Sequence, residues 1–187
     1  GNSITWHFIS PRAPHFGGLW EAAVKSVKQH LNRTVANFNL TYNEMYTVLV
    51  QIETCINSRP LIPLSNDSND LAVLTPAPFL IGSSLIYLPQ PDQSYKKENY
   101  LSRWERVQKI TQGMWKRWSG EYLNQLQVRA KWHQPAKADV RVGTMVLIKE
   151  TNVPPLQWNM GRITALHPGQ DGVTRVVEVN TRGGIKK

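Results

Sequence analysis

The sequence predicts an α+β chain, helical through its first two thirds and built from short antiparallel strands in its last fifty or so residues. Three observations predict it. Apolar residues recur three and four apart between residues 19 and 56 and again from 99 onward, which is the spacing of one helix face. From Val140 the pattern changes to apolar–polar alternation over 142–150, 158–168 and 173–181, the spacing of strands with one covered face. Proline and glycine cluster at 11–18, 154–155 and 168–172, between these stretches, as residues that punctuate structure do.

In chain order, ITWHFI at 4–9 alternates and is rich in β-branched and aromatic types, so a short strand is expected there. Pro11 and Pro14 end it because they lack the N–H of a ladder bond. Gly17-Gly18 gives a flexible turn. A helix is expected from about Leu19, with Val24, Val27, Leu31 and Val35 as its apolar stripe. Thr41 and Glu44 have the spacing of a capping box, which opens a second helix with Met45, Val48, Leu49, Ile52 and Ile56 buried, Cys55 beside them, and Pro60 as its stop. Residues 57–70 read as a loop. A short third helix is expected with Thr75 as N-cap, Pro76 first, Phe79, Leu80 and Ile81 as its apolar content and Gly82 as its end. Residues 83–98 read as a linker. A long amphipathic helix follows from near Asn99, with Leu101, Trp104, Val107, Gln108, Trp115, Trp118 and Tyr122 on one side and a break expected at Ser119-Gly120. Pro154-Pro155 and Pro168–Gly172 then separate three strands, which together suggest a small SH3-like barrel.

The composition narrows the function. Of 187 residues, 22 are Lys or Arg and 13 Asp or Glu, a net charge of +9. The excess is uneven: residues 1–95 carry −1, residues 96–133 +6 and residues 134–187 +4. A basic distal half interleaved with Trp and Tyr points to a polyanion such as nucleic acid; a solvated basic surface is the plainer alternative. Cys55 is the only cysteine, so no disulfide forms within the chain. No apolar run approaches the ~20 residues that span a bilayer, and no signal-peptide pattern opens the chain, so an intracellular protein without membrane contact is expected. The first residue is Gly and lies inside a strand-like run, which suggests a fragment.

Two clusters carry possible chemistry. Glu21, Lys25 and Lys28 lie four and seven apart, so one acid and two bases share a helix face. An i,i+4 surface pair between Glu21 and Lys25 is the ordinary alternative. Arg12 and His15 stand in the preceding loop, where structural roles compete with DNA contact. Farther on, Arg103, Arg106, Lys109, Lys116 and Arg117 cover the polar side of the long helix, suited to phosphate contacts that carry no sequence information. Trp104, Trp115, Trp118 and Trp132 stack on bases or, as is commoner at helical spacing, lie inside. Trp158, Arg162 and Arg175 are candidates for a binding face on the barrel, with core packing the conservative role of Trp158.

The series WHFISPRAPHFGGLWEAAVKSVK, NSRP at 57–60, LTPAPFLIG and QWNMGRITALHPGQDGVTRVV resembles the integrases of BEL/Pao-type LTR retrotransposons. Residues 5–82 resemble the distal part of the RNase H-like catalytic core, on Pro11, Pro14, Gly18 and Glu21 followed by basic residues at Lys25 and Lys28. The resemblance implies four segments: 1–82, the core fragment; 83–98, a linker; 99–135, a basic Trp-rich helical segment; and 136–187, an SH3-like domain, truncated. It implies that Glu21 is the third carboxylate of a two-metal site for Mg2+ or Mn2+, with two Asp ligands upstream of residue 1. It also implies that Lys25 and Lys28 meet the phosphates of a DNA end, that the protein self-associates, and that it acts in the nucleus after assembly in the cytoplasm. Asp67, Asp70 and Asp92 follow Glu21 in loops and are poor substitutes for the missing pair, so these 187 residues alone are expected to be inactive in strand transfer. Two other readings stand beside this one: a non-catalytic DNA- or chromatin-binding module derived from a retroelement, and a protein-interaction adaptor using the barrel.

Overall fold

The structure, a computed structural model, describes residues 5, 8, 10, 17–35, 38–86, 88, 90–126 and 140–187. The strand expected over 4–9, the loop holding Pro11, Arg12, Pro14 and His15, and Trp132 fall wholly or mostly outside these residues. The chain divides into two compact units, 1–39 and 40–187.

The first unit contributes helix α1, Gly18–Val35, one residue from where the sequence puts its start. Glu21 lies in the first turn, where a carboxylate meets the positive end of the helix dipole. Gly18, at its first position, has open space where a Cβ would stand.

The second unit begins at helix α2, Tyr42–Asn57. The capping box forms in full: the Thr41 N–H donates to Glu44 Oε2 at 2.7 Å and the Glu44 N–H donates to Thr41 Oγ1 at 3.4 Å. Two orphan donors of the first turn are thereby satisfied. Val48, Ile52, Cys55 and Ile56 are buried. Leu49, expected among them, is exposed, because α2 meets its partner helix along a narrower stripe than its apolar content covers. Burial of Cys55 pushes its thiol up to about 12, as expected of a packed rather than reactive cysteine.

Two short strands pair antiparallel, β1 Ile62–Pro63 inside the 57–70 stretch expected to be loop and β2 Val73–Leu74 just after it. Helix α3, Ala77–Ile81, follows. Pro76, not Thr75, caps it, and no side chain bonds to its first turn. Its end matches the expectation, with Gly82 in the left-handed region at φ 73°. The expected apolar content is not covered: Phe79 is 73% exposed and Leu80 and Ile81 are also exposed.

A single 3-10 turn at Glu98–Tyr100 leads into helix α4, Arg103–Leu126. It runs unbroken through Ser119-Gly120, against the expected break. A mid-helix glycine costs about 1 kcal/mol relative to alanine, and packing on both sides of Gly120 exceeds that. Val107, Ile110, Thr111, Met114, Trp115 and Trp118 face inward and pack the helix against α2. Fully burying side chains such as Ile110 or Ile52 contributes roughly 1.5–3 kcal/mol each. The stretch expected to be a linker is tied along α4. Gln93 N–H donates to Gln112 Oε1 at 2.9 Å, Gln112 Nε2 donates to the Pro91 carbonyl at 2.9 Å, and Lys109 Nζ donates to the Lys96 carbonyl.

The distal strands form one antiparallel sheet in the order β3 Met145–Leu147, β4 Met160–Pro168, β5 Thr174–Thr181, β6 Gly184–Lys186. The three expected strands are there, and β6 is an addition. The turn before β5 closes with the Gly172 N–H donating to the Gly169 carbonyl and Gly172 at φ 74°. A register shift between Ile163 and Ala165 against Val179 and Glu178 makes a bulge at Thr164, which bends the strand and keeps Ile163 and Val179 together on the covered face. The architecture is α+β, and its β part is a four-stranded meander together with the two-stranded β1–β2 pair.

Candidate nucleic-acid interface

On α1, Glu21, Lys25 and Lys28 are all exposed, and Val24 beside them is half-exposed. Among the described residues no ion pair joins Glu21 to Lys25. The ordinary i,i+4 surface pair is therefore not made, and the acid and the two bases face solvent as separate charges. Metal chemistry asks more of the acid. Mg2+ takes six oxygens, and a two-metal site needs several carboxylates. Among the described residues no three His, Cys, Asp or Glu side chains are grouped to hold a metal ion. Asp67, Asp70 and Asp92 accept from the backbone N–H groups of Asn69, Ala72 and Ser94, which is local turn closure. Glu21 would be one of the several ligands such a site needs.

In the second unit the inward stripe of α4 leaves an outer face. At about 100° per residue, Arg106, Lys109 and Lys116 fall within about 80° of one another opposite the buried residues, with Gly113 and Gly120 between them. Arg117 lies at the edge of this sector and is exposed, with no partner among the described residues. Lys116 is exposed and reaches Asn152 Oδ1 at 3.4 Å. Its charge also helps hold the Asp92 carboxyl below its ordinary value, after the hydrogen bonds from Ser94. Lys109 is half-buried and donates to the Lys96 carbonyl.

Other predicted candidates are committed elsewhere. Arg103 forks onto Glu44, Nε to Oε1 at 2.7 Å and a second nitrogen to Oε2 at 3.3 Å, tying the start of α4 to the start of α2. With the two Thr41 bonds, this holds the Glu44 carboxyl down to about 2. Lys96 and Ser102 do the same for Glu105, also about 2. Arg175 forks onto Asp171 at 3.0 and 2.6 Å, a surface pair of small energetic weight.

Arg162 departs furthest from the expectation. It is 3% exposed. Its Nε donates to the Asp70 carbonyl at 3.1 Å, one terminal nitrogen to the Gly143 carbonyl at 2.9 Å and the other to the Ser65 carbonyl. Every arm of the fork is occupied, so Arg162 offers nothing to a phosphate; it fastens the 65–70 loop to the sheet.

The tryptophans divide the same way. Trp115 and Trp118 are buried, and with Tyr122 and Trp158 they make one aromatic cluster. Trp158 stands edge-on to Trp115 at 4.9 Å and to Tyr122 at 5.5 Å, geometry that contributes about 0.5–1.5 kcal/mol per pair beyond area. Each polar handle finds a partner: Trp115 Nε1 the Val153 carbonyl, Trp158 Nε1 Ser58 Oγ, Tyr122 Oη the Pro60 carbonyl. Trp104, at 52% exposed, is the described tryptophan of α4 left open to solvent. Sequence reasoning missed Lys149 after β3, Arg182 in the β5–β6 turn and Lys186 on β6. The +4 of residues 134–187 was their only signal, and charge totals do not say which cations a fold leaves exposed.

Residues 102–187 match a family of unknown function, DUF5641. The match spans α4 and the whole four-stranded sheet and leaves α1, α2 and α3 outside it. No curated protein and no solved structure matches the chain. No helix among the described residues is long and apolar enough to cross a membrane.

Proposed function

We propose that this chain is the distal part of a retrotransposon-type integrase and that its own task is to hold DNA. In the intact protein Glu21 would complete a two-metal site with upstream carboxylates for end processing and strand transfer. Lys25 and Lys28, along the same helix, would lie on the phosphates of the donor end. The outer face of α4, with Arg106, Lys116 and Arg117, would add contacts that neutralise phosphates without reading sequence. Action on nuclear DNA and self-association belong to the same proposal. The observation that carries it is the Glu21–Lys25–Lys28 face: three charges exposed on one helix, unpaired with one another, behind the Pro-loop signature of the sequence.

The second reading is a DNA- or chromatin-binding module without catalysis, carried by the distal residues 102–187 that the family match covers. Two charge-reversal pairs in the full chain separate the readings. If both faces hold DNA, Lys25→Glu/Lys28→Glu and Lys116→Glu/Arg117→Glu each weaken binding to a blunt duplex and each lower the salt slope by about 2. A Lys25/Lys28 pair that changes nothing would leave the distal module alone. Duplex binding indifferent to both pairs would sink the proposal.

A further inference from the structure

At one end of the sheet, the β5–β6 turn, the start of β4 and the chain after β3 enclose a cavity of about 230 Å3. Sites for drug-sized ligands run from about 300 Å3 upward, so this one has room for a single small planar group. Leu71, Ile148, Met160 and Trp158 supply apolar lining; Glu150, Asn159, Arg182 and Lys186 supply polar lining.

The charges are arranged unequally. Glu150 is already neutralised, with Lys186 Nζ donating to Oε1 and Asn159 Nδ2 donating to Oε2. Arg182 is exposed and has no partner among the described residues. The cavity lining therefore holds one uncommitted cation and one aromatic ring, and an anionic ligand is favoured over a basic peptide side chain. The lining is also preformed. Trp158 is fixed by its bond to Ser58 Oγ at 3.2 Å and by three neighbouring rings. The β5–β6 turn is closed by Thr181 Oγ1 donating to the Gly184 carbonyl at 2.6 Å and by the Gly183 N–H donating to Thr181 Oγ1 at 3.2 Å. Little order would have to be gained on binding.

We infer that this cavity takes one unpaired nucleotide at a nucleic-acid end, its base against Trp158 and its phosphate on Arg182. The inference rests on the nucleic-acid reading above and adds to it a preference for frayed or overhanging ends. Gly183 gives a way to block the site without straining it. A Cβ there meets only Thr181 Oγ1, at 3.8 Å, and the residue lines the cavity.

The test uses the full chain and two fluorescein-labelled duplexes of one sequence, one blunt and one with a short single-stranded extension. Wild type should bind the extended duplex about fivefold to a hundredfold tighter, the range that stacking one base on an aromatic ring gives. Gly183→Leu should remove that preference and leave blunt binding unchanged. Arg182→Glu should remove it too, and Arg182→Lys should restore part of it. Circular dichroism melts confirm that each variant folds, and the wild-type comparison stands whether or not they do. No preference in wild type, or a preference kept in both Gly183→Leu and Arg182→Glu, overturns the inference while leaving blunt-duplex binding intact. Binding to neither duplex overturns the nucleic-acid reading and this inference together.

Discussion

Replacing Arg162 with methionine separates a structural arginine from a DNA-binding one. The side chain is 3% exposed and its guanidinium serves the carbonyls of Asp70, Gly143 and Ser65. Methionine keeps much of the volume and removes every donor. Hydrogen bonds to a charged group contribute about 1.5–3 kcal/mol each, so three give an upper bound of about 9 kcal/mol. Two effects reduce that figure. The 65–70 loop is largely exposed, so its carbonyls regain water once released, and bonds from one fork are not additive. Leaving buried acceptors without their donor costs about 1–3 kcal/mol, and the high end of that range, about 3 kcal/mol, is the expected loss in urea unfolding. Arg162→Lys keeps a charge without the fork and should fall between. Duplex affinity of the folded fraction should keep its salt slope. A variant within about 0.5 kcal/mol of wild type that loses about one from the salt slope would refute the reasoning and return Arg162 to the DNA surface.

Three further outcomes are expected. A Cβ on Gly161 would stand 2.3 Å from Val179 Cγ1 and 2.7 Å from the Asn180 carbonyl, so Gly161→Ala should destabilise by about 1–3 kcal/mol as overpacking does; an unchanged melting temperature would contradict the close approach of β4 and β5. Glu44, Glu105 and Asp171 are each held down to about 2, below their unfolded values near 4. A depressed folded value means stability that is present above about pH 4.5 and lost as pH falls toward 2. The thermal midpoint should fall through that window, and Glu44→Gln should flatten the fall; a midpoint flat to pH 2.5 would count against these ion pairs. Cys55, buried with its thiol at about 12, should resist a thiol reagent at pH 8 until denaturant is added. Labelling at the rate of a free cysteine would mean that α2 and α4 do not cover it.

Local signals were legible and distant ones were not. The Thr41–Glu44 box spans three positions and formed as its spacing implied. That Glu44 also receives Arg103, 59 residues away, has no local trace. Helical periodicity gave α2 and α4 but not how wide their contact is, so Leu49 and Trp104 were placed inward and lie outward. Short elements escaped for a stated reason: β1 contains Pro63 and β6 opens on Gly184, both residues that argue against a strand. The cations were the least legible. Arginine reads as a surface residue, and nothing in GRITALHP shows that Arg162 is buried while Arg182, after β5, stays open. Side-chain bonds such as Trp158 to Ser58 and Tyr122 to Pro60 also join stretches the sequence had divided at 82, 98 and 135.

The central claim is that the cations of α1 and of the outer face of α4 hold nucleic-acid phosphates. The most direct measurement is the affinity of the full chain for a blunt duplex between 50 and 300 mM salt. If Lys25, Lys28, Arg106, Lys116 and Arg117 each meet a phosphate, log Kd rises linearly with log salt with a slope of roughly 4 to 5. A slope near zero, or no binding at 50 mM salt, would contradict the account.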